Sequence, residues 1–578
     1  MTGRQLTVFI FSLLTLWLFA ACDDNTTVVS PGDGDDGGGG DDTTTIDYSN
    51  NHEDPGDYVW DENDVTEITL AGQTVSINGD GASADSTTIT IGSAGTYRFV
   101  GTLNGGRIVV DTEDEDVVRV ILNNADITCG SSAPFFVANA DKTVIILTDG
   151  SANRLTDADS YVYDEPGEDE PNAALFSKDD LTIYGNGLLT IKGNYNDGIA
   201  SKDGLIISGS SLAITAEDDG IRGKDYAILK NGSVSIYCGG DGIKSTNDGD
   251  ATLGFVVLEG TTLNVLCDGD GVSAVTDVAI TSGAISIEAG GGSHAVIGDD
   301  DSAKGIKSDK RVIIDGGYFA LNTADDGVHS NGSIGINDGT FTIATGDDAV
   351  HSDGHLVVSG GTITISECYE GLESADSNIT ITGGDIHINA SDDAINVAGG
   401  GDKVGPGDSH LQIDGGYVAI VANGDGIDVN GAITMTGGTV IVHGPIMNDN
   451  GAIDYNSYFN MTGGILVAAG SSPMAQQPGT SSTQCTVMVN FSSPRAAGTL
   501  FHVRKTDATE ILTFRPSKNY QSIVFCLPTL AKSTGYNMYL NGSCTGTEVD
   551  GLYSGGSYTP GTALTGFTIS SVVTKLNR

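Results

Sequence analysis

Basic residues are scarce in this chain of 578 residues. Lys and Arg number 26 against 77 Asp and Glu, which gives a formal net charge of −51. A surface of this sign repels nucleic acid and anionic membranes. Because carboxylates are the oxygen ligands that Ca²⁺ prefers, the excess of acid favours either cation binding or a simply solvated extracellular surface.

Proline, aromatic residues and helical periodicity are also scarce. The chain has 13 Pro and 6% aromatic residues but 82 Gly. No stretch sustains the apolar period of about 3.6 residues that marks an amphipathic helix. Short runs such as residues 212–215 and 379–381 instead alternate apolar and polar side chains, with Gly, Asp and Asn between them. This pattern predicts an all-β fold of short strands and tight turns.

Sequence motifs of the common enzyme classes are missing. The eight Cys show no C-x-x-C or zinc-type spacing. There is no Gly-x-Ser-x-Gly elbow, no P-loop and no dinucleotide-binding fingerprint. These absences argue against a zinc protein, a serine hydrolase of that type, and a nucleotide-binding enzyme.

The first 22 residues predict an export signal. Arg4 precedes an apolar run, residues 6–19, which is short for a transmembrane helix. The small residues before Cys22 resemble a bacterial lipobox, so Cys22 is the expected lipid attachment site; an ordinary signal cleaved after Ala21 is the alternative. The acidic pair that follows resembles the export signal of Bacteroides-like surface lipoproteins. We therefore expect a surface lipoprotein of the bacterial outer membrane, with a flexible acidic linker over residues 23–57.

An Asp-Gly-Ile motif, or a close variant of it, recurs along the middle of the chain. Its copies are mostly 22 or 23 residues apart. They begin at Asp197, Asp219, Asp241, Asp270, Lys304, Asp326, Asp348, Glu370, Asp393, Asp425 and Gly451. After each motif come a short apolar strand, a Gly-rich turn and a second, alternating strand, as in residues 356–365.

Three short strands per repeat predict one coil of a right-handed parallel β-helix. Successive coils would stack about 4.8 Å apart, the strand-pairing distance. The apolar motif residue is expected inside the coil and the Asp outside, at a corner. A single repeat cannot bury its own apolar face, so the array should fold as a unit. Cys238 and Cys267 then fall at equivalent positions, where stacked buried thiols are expected because parallel strands seldom suit disulfide geometry.

The repeat also suggests domain boundaries. Residues 58–172 are rich in strands but lack the motif, and we expect an N-terminal β-rich cap with irregular first rungs. The regular repeats cover 173–470. Residues 482–578 contain longer strands of an antiparallel type and predict a small C-terminal β-domain.

The acidic residues at one corner predict a calcium site. Asp197, Asp218, Asp219 and Asp241 should fall on adjacent rungs, where stacked carboxylates repel one another. A Ca²⁺ ion, with its six to eight oxygen ligands, would relieve that repulsion. The alternative is a metal-free ladder of salt bridges, neutralised by lysines that follow each motif, namely Lys202, Lys224 and Lys244.

A second, weaker candidate lies further along the repeats. It consists of Asp325, Asp326, Asp347 and Asp348, and it continues with Glu370, Asp392 and Asp393. His329 and His351 each follow the motif Asp by three residues. They would either bind a transition metal together or simply stack as turn residues.

Three segments carry a family resemblance, namely residues 173–181, 196–204 and 218–225. They resemble bacterial surface carbohydrate-binding β-helix proteins, whose characterised type binds pectic acid and cellulose and holds calcium. The similarity runs from about residue 58 to the C-terminal domain. That family in turn resembles the family 9 polysaccharide lyases, calcium-dependent pectate lyases on a right-handed parallel β-helix. Asp203 and Asp225, within the same segments, join the candidate calcium ligands.

The resemblance to the lyases transfers only in part. Their calcium site takes one Asp from an Asp-Gly-aromatic-Ala-Ala-Lys segment, which residues 197–202 resemble, and two from an Asp-Asp-Gly-Trp-Asp segment, which 218–221 resemble. The fourth Asp of the lyases corresponds to Arg222, which cannot bind a cation. For their catalytic Lys, a base that needs a lowered pKa, the chain offers only Lys244. The resemblance therefore favours binding over catalysis.

Three functions follow as expectations. The first is a non-catalytic surface protein that binds an acidic, pectic-type polysaccharide through Ca²⁺. The second is a calcium-dependent polysaccharide lyase, and the third is an adhesin without a dedicated sugar site. The repeats have too few aromatic residues for a flat cellulose-binding platform, so calcium bridging to uronates is the expected mechanism.

Overall fold

The computed structural model describes residues 45–163, 167–298, 300–399 and 409–578. The predicted signal peptide with Cys22, and residues 23–44 of the predicted linker, lie outside these ranges. The described residues form 55 strands and two short 3-10 helices, Pro55–Tyr58 and Glu62–Asp64. The prediction of an all-β fold is therefore confirmed. No helix in the described ranges has the length and apolar character needed to cross a membrane.

Each repeat contributes three strands, as the sequence predicted. The first carries the motif and belongs to a 16-stranded sheet, called here the motif row. Its strands are β3 (Ala82–Asp85), β4 (Thr88–Ile91), β6 (Arg107–Asp111), β8 (Phe135–Asn139), β11 (Ala173–Ser177), β14 (Asp197–Ser201), β17 (Ile221–Gly223), β20 (Ile243–Ser245), β23 (Val272–Ala274), β26 (Ile306–Ser308), β29 (Val328–Ser330), β32 (Val350–Ser352), β35 (Leu372–Ser374), β38 (Ile395–Val397), β41 (Ile427–Val429) and β44 (Asp454–Tyr455).

The next strand of each repeat belongs to what we call the second row. Its strands are β9 (Lys142–Leu147), β12 (Asp180–Tyr184), β15 (Gly204–Ser208), β18 (Tyr226–Lys230), β21 (Phe255–Glu259), β24 (Asp277–Ile280), β27 (Arg311–Ile314), β30 (Ser333–Ile336), β33 (Leu356–Val358), β36 (Ile379–Ile381), β39 (His410–Ile413), β42 (Ala432–Met435) and β45 (Phe459–Met461).

The last strand of each repeat belongs to the third row. Its strands are β10 (Ala152–Thr156), β13 (Leu188–Gly193), β16 (Ser211–Ala216), β19 (Ser233–Cys238), β22 (Thr261–Cys267), β25 (Gly283–Ala289), β28 (Tyr318–Thr323), β31 (Thr340–Thr345), β34 (Thr362–Cys368), β37 (Asp385–Ala390), β40 (Tyr417–Ala422), β43 (Thr439–His443) and β46 (Ile465–Gly470).

Equivalent strands of successive repeats pair in parallel. In the motif row Ile199 lies opposite Ile221, and Ile221 lies opposite Ile243. Each repeat of 22 residues therefore adds one strand to this row. These three isoleucines are fully buried and belong to one hydrophobic core that follows the repeats. The predicted stacking of the apolar motif residue inside the fold is confirmed. The right-handed sense of the coil stays a prediction.

Glycine at the turn between the second and third rows is required by this close stacking. Gly384 has φ +94° and Gly416 has φ +79°, values that L side chains rarely adopt. A Cβ atom on Gly416 would lie 2.7 Å from the carbonyl oxygen of Gly383 in the preceding repeat. The Gly-Gly turns of the sequence therefore let one turn pack directly on the next.

Hairpins and antiparallel strands cover the two ends of the stack. At the start, β1 (Val65–Gly72) pairs with β2 (Thr74–Asn78), and β3 with β4, both antiparallel. Two long strands, β5 (Gly95–Asn104) and β7 (Val118–Thr128), then lead into the second and third rows. The three-strand pattern is already present at β8, before the predicted boundary at residue 173, although these repeats lack the Asp-Gly-Ile motif.

The C-terminal strands pair mainly antiparallel; three of them continue the long sheet and the other six form a separate sheet. They are β47 (Thr486–Arg495), β48 (Phe501–Lys505), β49 (Glu510–Phe514), β50 (Tyr520–Cys526), β51 (Gly535–Cys544), β52 (Thr547–Val549), β53 (Leu552–Ser554), β54 (Tyr558–Thr568) and β55 (Val573–Asn577). Strand β50 pairs antiparallel with β46, the last strand of the third row. This pairing covers a sheet edge that would otherwise be open to further strands. The domain boundary at 482 stays a prediction.

Residues 45–64 lie along the second row, and we call them the N-terminal strap. Tyr58 stacks on Tyr184 with ring centroids 4.2 Å apart. Asp57 is 2% exposed, and one of its carboxylate oxygens lies 3.0 Å from Nζ of Lys142. The expectation of a flexible linker up to residue 57 is therefore wrong for its described part, because these residues cover apolar side chains on the outer face of the second row.

The cysteines follow the repeat. Cys238 and Cys267 lie opposite each other on β19 and β22, and both are buried and free. The prediction of stacked buried thiols is confirmed.

Replacement of Leu263 by Ala should destabilise the stack. Leu263 is fully buried on β22, whereas the adjacent Thr262 is exposed. Loss of its buried methyl groups should lower the free energy of unfolding by about 2–5 kcal/mol. Thr262→Ala is the matched control and should change it by less than about 0.5 kcal/mol. Denaturant unfolding followed by circular dichroism measures both, and equal effects would contradict the inward orientation of Leu263.

Candidate functional site

The motif Asp ends the turn between the third row and the motif row. Its Oδ1 accepts a hydrogen bond from the backbone N–H of the equivalent residue in the next repeat. The distances from nitrogen to Oδ1 are 2.9 Å for Asp241 to Asp219, and 2.8 Å for Asp270 to Asp241. Equivalent bonds join Asp219 to Asp197, Lys304 to Asp270, Asp348 to Asp326, and Glu370 to Asp348. The recurring Asp is thus explained first by backbone hydrogen bonding.

These carboxylates are buried, which corrects the expectation that they lie outside at a corner. Asp197 is 0% exposed, Asp219 4% and Asp270 3%. A buried carboxylate is costly unless it is hydrogen-bonded and paired with a cation. The remaining oxygen of each motif Asp therefore needs a positive partner.

The residue just after the apolar motif residue supplies that partner in the first half of the stack. Arg222 pairs with Asp197. Nζ of Lys244 lies 2.8 Å from Asp241 and 3.8 Å from Asp219, and Nζ of Lys307 lies 3.0 Å from Asp270. The strand register aligns these positions as one column, which continues with His329 and His351.

Sequence reasoning named Lys244 but missed Arg222 and Lys307 as counter-ions. Lys202, which it also named, pairs instead with Glu170 at 2.5 Å. The signal that identifies the right cations is the repeat position immediately after the apolar motif residue.

Three of the predicted calcium ligands come together. Asp197, Asp218 and Asp219 each offer an oxygen, and these atoms lie within 4.8 Å of one another. Asp218 is exposed, whereas the other two are buried. Burial, together with neighbouring carboxylates and despite the charges of Arg222 and Lys244, raises the pKa of Asp197 to about 7 and that of Asp219 to about 6.

The other predicted ligands are not part of this group. Asp241 is held by Lys244. Asp203 and Asp225 follow β14 and β17, at the end of the motif strand opposite to Asp197 and Asp219. There Asp225 accepts a hydrogen bond of 2.6 Å from Nδ2 of Asn247. We therefore confine the candidate site to Asp197, Asp218 and Asp219.

The second acidic stack is closely paired with cations. Nζ of Lys304 lies 2.7 Å from an oxygen of Asp325 and 2.7 Å from one of Asp326. Asp347 joins these two aspartates in a carboxylate group within 4.8 Å.

Two histidines extend this pairing. Nδ1 of His329 lies 2.8 Å from Asp326, and Nδ1 of His351 lies 2.9 Å from Asp348 and 2.6 Å from Glu373. The two imidazole rings stack with centroids 4.8 Å apart. Although burial opposes protonation, its carboxylate partners raise the pKa of His351 to about 11. His351 thus pairs with these carboxylates as a counter-ion, and a metal at this position would have to displace its proton, because an imidazole nitrogen binds a metal only in its unprotonated form.

After Glu370 the aspartates of the column no longer have basic partners within the described ranges, a change that the sequence analysis did not predict. Asp393, Asp425 and Asp428 form a further carboxylate group within 4.8 Å. Among the residues that the structure describes, none of the three has a basic side chain within ion-pair distance. Burial and the neighbouring carboxylates raise the pKa of Asp393 to about 6, of Asp425 to about 7 and of Asp428 to about 6. The sequence did contain a signal for this difference. The residue that follows the apolar motif residue is basic at Arg222, Lys244 and Lys307 but acidic at Asp428.

The fold should therefore lose stability as the pH rises from about 4 to 8. A carboxyl whose pKa is higher in the folded than in the unfolded chain makes the folded chain bind more protons in that interval, so raising the pH favours unfolding. For Asp425 the interval runs from 3.8 to about 7. Thermal unfolding in chelator at pH 5 and pH 8 tests this, and the midpoint should be lower at pH 8.

Two substitutions at equivalent positions sharpen the test. Asp425→Asn should raise the midpoint at pH 8 and leave it nearly unchanged at pH 5, because it removes an unpaired charge. Asp326→Asn should lower the midpoint at pH 8, since His329 and Lys304 hold the pKa of Asp326 at about 2 despite its burial. Equal changes in the unfolding midpoint of the two variants would contradict the proposed difference between the paired Asp326 and the unpaired Asp425.

Similarity to known proteins bears on this site. The sequence matches a family described as "Carbohydrate-binding domain-containing protein" over residues 85–349 and 347–457, together more than half of the chain. A curated relative with the same description, from Acetivibrio thermocellus, is 40% identical over 139 residues. These residues are 24% of this chain and 49% of the relative, so the chain spans about half the relative's length.

A solved structure shares part of the chain. It is a polysaccharide lyase-like protein from C. thermocellum, in a gadolinium derivative, with 34% sequence identity. The match covers 39% of this chain and 92% of that one, with a TM-score of 0.38. The family match takes in the candidate cluster and nearly all of the repeats. This chain belongs to the family of carbohydrate-binding domain-containing proteins.

Proposed function

We propose that this protein binds an acidic, pectic-type polysaccharide through a Ca²⁺ ion held by Asp197, Asp218 and Asp219. The observation that carries the proposal is the convergence of these carboxylates within 4.8 Å on a member of a carbohydrate-binding family. Carboxylate oxygens are the donors that Ca²⁺ prefers.

The donor set fits a hard cation. Oδ2 of Asp197 is buried, and among the described residues it accepts no hydrogen bond, although it forms an ion pair with Arg222. The raised pKa values of Asp197 and Asp219 reflect burial and repulsion, which a divalent charge would relieve. Since Asp218 is exposed, the outer side of such a site is open to oxygens from a sugar.

Charge explains why a cation is needed. The protein carries −51 and pectic acid is a polyanion, so direct contact is unfavourable over most of the surface. Calcium needs six to eight oxygen ligands, more than three carboxylates commonly supply. Uronate oxygens can therefore complete its coordination, which makes the ion a bridge between two like-charged molecules.

Lys244, the candidate catalytic base, does not favour lyase activity. Burial lowers the pKa of Lys244, but the charges of Asp241 and Asp219 outweigh it and the pKa ends above its ordinary value. A base for β-elimination needs the opposite shift. We therefore favour binding without catalysis.

The rest of the proposal concerns setting and shape. We place the protein on the outer surface of a bacterial outer membrane, anchored by a lipid on Cys22, because residues 1–22 have the pattern of a lipoprotein signal. We also take the stack to be a right-handed β-helix, since about 98% of parallel crossover connections are right-handed.

Binding to pectic acid should require Ca²⁺ and Asp218. We expect retention on a pectic acid gel with Ca²⁺, loss of retention in excess chelator, weakening by monovalent salt, and no retention on a neutral glucan. Asp218→Asn should reduce retention at least about tenfold without unfolding the chain, because Asp218 is exposed. Glu217→Gln, an exposed neighbour outside the cluster, is the matched control. Undiminished binding in chelator would refute the calcium bridge, and unsaturated uronate absorbance would favour the lyase.

Removal of Arg222 should strengthen calcium binding. The guanidinium competes with any cation for Asp197, so Arg222→Gln should raise the Ca²⁺ affinity and enlarge the Ca²⁺-induced rise in unfolding temperature. Lys230→Gln, which removes a positive charge paired with Glu53 far from the cluster, is the control. Isothermal titration with Ca²⁺ measures both, and a weaker affinity in Arg222→Gln would exclude Asp197 as a ligand.

A further inference from the structure

A shallow trough crosses the outer face of the third row. It is lined by the outward side chains of β13, β16, β19, β22 and β25, and has a volume of about 400 Å³. Five neighbouring parallel strands, each about 4.8 Å from the next, give it a length of roughly 19 Å. This is an open, extended shape, suited to a linear chain that continues beyond both ends.

The floor of the trough carries polar groups that the protein itself does not use. Ser235, Asn264 and Ser286 lie side by side in the strand register, and all three are exposed. In the described part of the chain, their side chains make no hydrogen bond. An amide and two hydroxyls offer both donors and acceptors, as a row of sugar hydroxyls requires.

One wall is apolar. Tyr237 and Leu266 lie opposite each other on β19 and β22, with 59% and 41% of their surface exposed. A tyrosine presents an apolar ring face and a polar hydroxyl, a combination suited to a sugar ring with its C–H face and hydroxyl edge. Such an exposed pair is unusual in repeats whose other outward positions are mostly Ser, Thr and Ala.

Lys192 at one end supplies a positive charge. It is exposed, lines the trough, and has no ion-pair partner among the described residues. It complements a carboxylate on the bound chain.

The trough adjoins the candidate calcium cluster. Strand β19 ends just after Tyr237, and the backbone N–H of Gly240 in the following turn donates to the carbonyl of Asp218 at 3.0 Å. Asp218 follows Thr215, the trough residue opposite Tyr237, by three positions, so the cluster lies in the turn that leaves the trough-lining strand β16.

We infer that this trough is the site at which an extended uronate-containing polysaccharide lies, with one sugar ring on Tyr237 and Leu266, hydroxyls on Asn264, and a carboxylate at Lys192. The inference rests on the proposed function, because it supplies the sugar contacts that a calcium bridge alone lacks. It makes Tyr237 a determinant of affinity for the sugar but not for the ion.

The test compares Tyr237→Ala with Tyr318→Ala in the otherwise intact protein. Tyr318 is a matched control, since it is 69% exposed on the third row but does not line the trough. Binding of an oligogalacturonate with Ca²⁺ is measured by titration calorimetry. Tyr237→Ala should weaken it about five- to tenfold, Asn264→Ala and Lys192→Ala should also weaken it, and Tyr318→Ala should leave it unchanged.

A second readout separates this inference from the calcium bridge. The Ca²⁺-induced rise in unfolding temperature should be the same in Tyr237→Ala as in the unsubstituted protein, and Tyr237→Phe should retain most of the sugar affinity. Wild-type affinity in both Tyr237→Ala and Asn264→Ala would overturn the trough, as would absence of any oligosaccharide binding. If the oligosaccharide binds equally well in chelator but is lost in Tyr237→Ala, the trough stands and the calcium bridge falls.

Discussion

Parallel stacking at a fixed strand distance is the constraint on which this structure depends. Each side chain has its own equivalents as neighbours, about 4.8 Å above and below. Isoleucine therefore meets isoleucine in the core, glycine meets glycine at the turns, and Cys238 meets Cys267. Favourable contacts are repeated along the stack, and so is any unfavourable contact that a repeat position contains.

This constraint determines both the hydrogen bonding and the electrostatics of the motif aspartate. One of its oxygens joins repeats by accepting a backbone N–H, and the other is left in a buried column of like charges. Arg222, Lys244 and Lys307 neutralise the early part of that column, whereas no basic side chain does so at Asp425 in the described chain. The fold uses these carboxylates to accept backbone hydrogen bonds between repeats. The same carboxylates are buried negative charges, and they are stabilised by a nearby cation.

The repeat period alone was enough to predict the three strands per repeat, their parallel pairing and the buried apolar column. It was not enough to predict the burial of Asp197, because a turn residue is ordinarily exposed and the backbone hydrogen bond becomes visible only in the stack. It also missed Arg222, whose role depends on a neighbour one repeat away. The strap was missed for a different reason: the continuous apolar run in β18 and β21 indicates burial on both faces, but does not identify what covers the outer one.

The N-terminal strap determines how mechanical load would enter the fold. Nη1 of Arg311 on β27 contacts the carbonyl of Thr45 at 3.4 Å, and from there the strap runs back across the second row to Trp60 beside Ile121 and Ile146. A force transmitted through residue 45 therefore enters the fold at mid-stack, at β27, and not at the first repeat. Between that point and Trp60, the strap is fixed to the second row by the ion pairs of Glu53 with Lys230 and of Asp57 with Lys142.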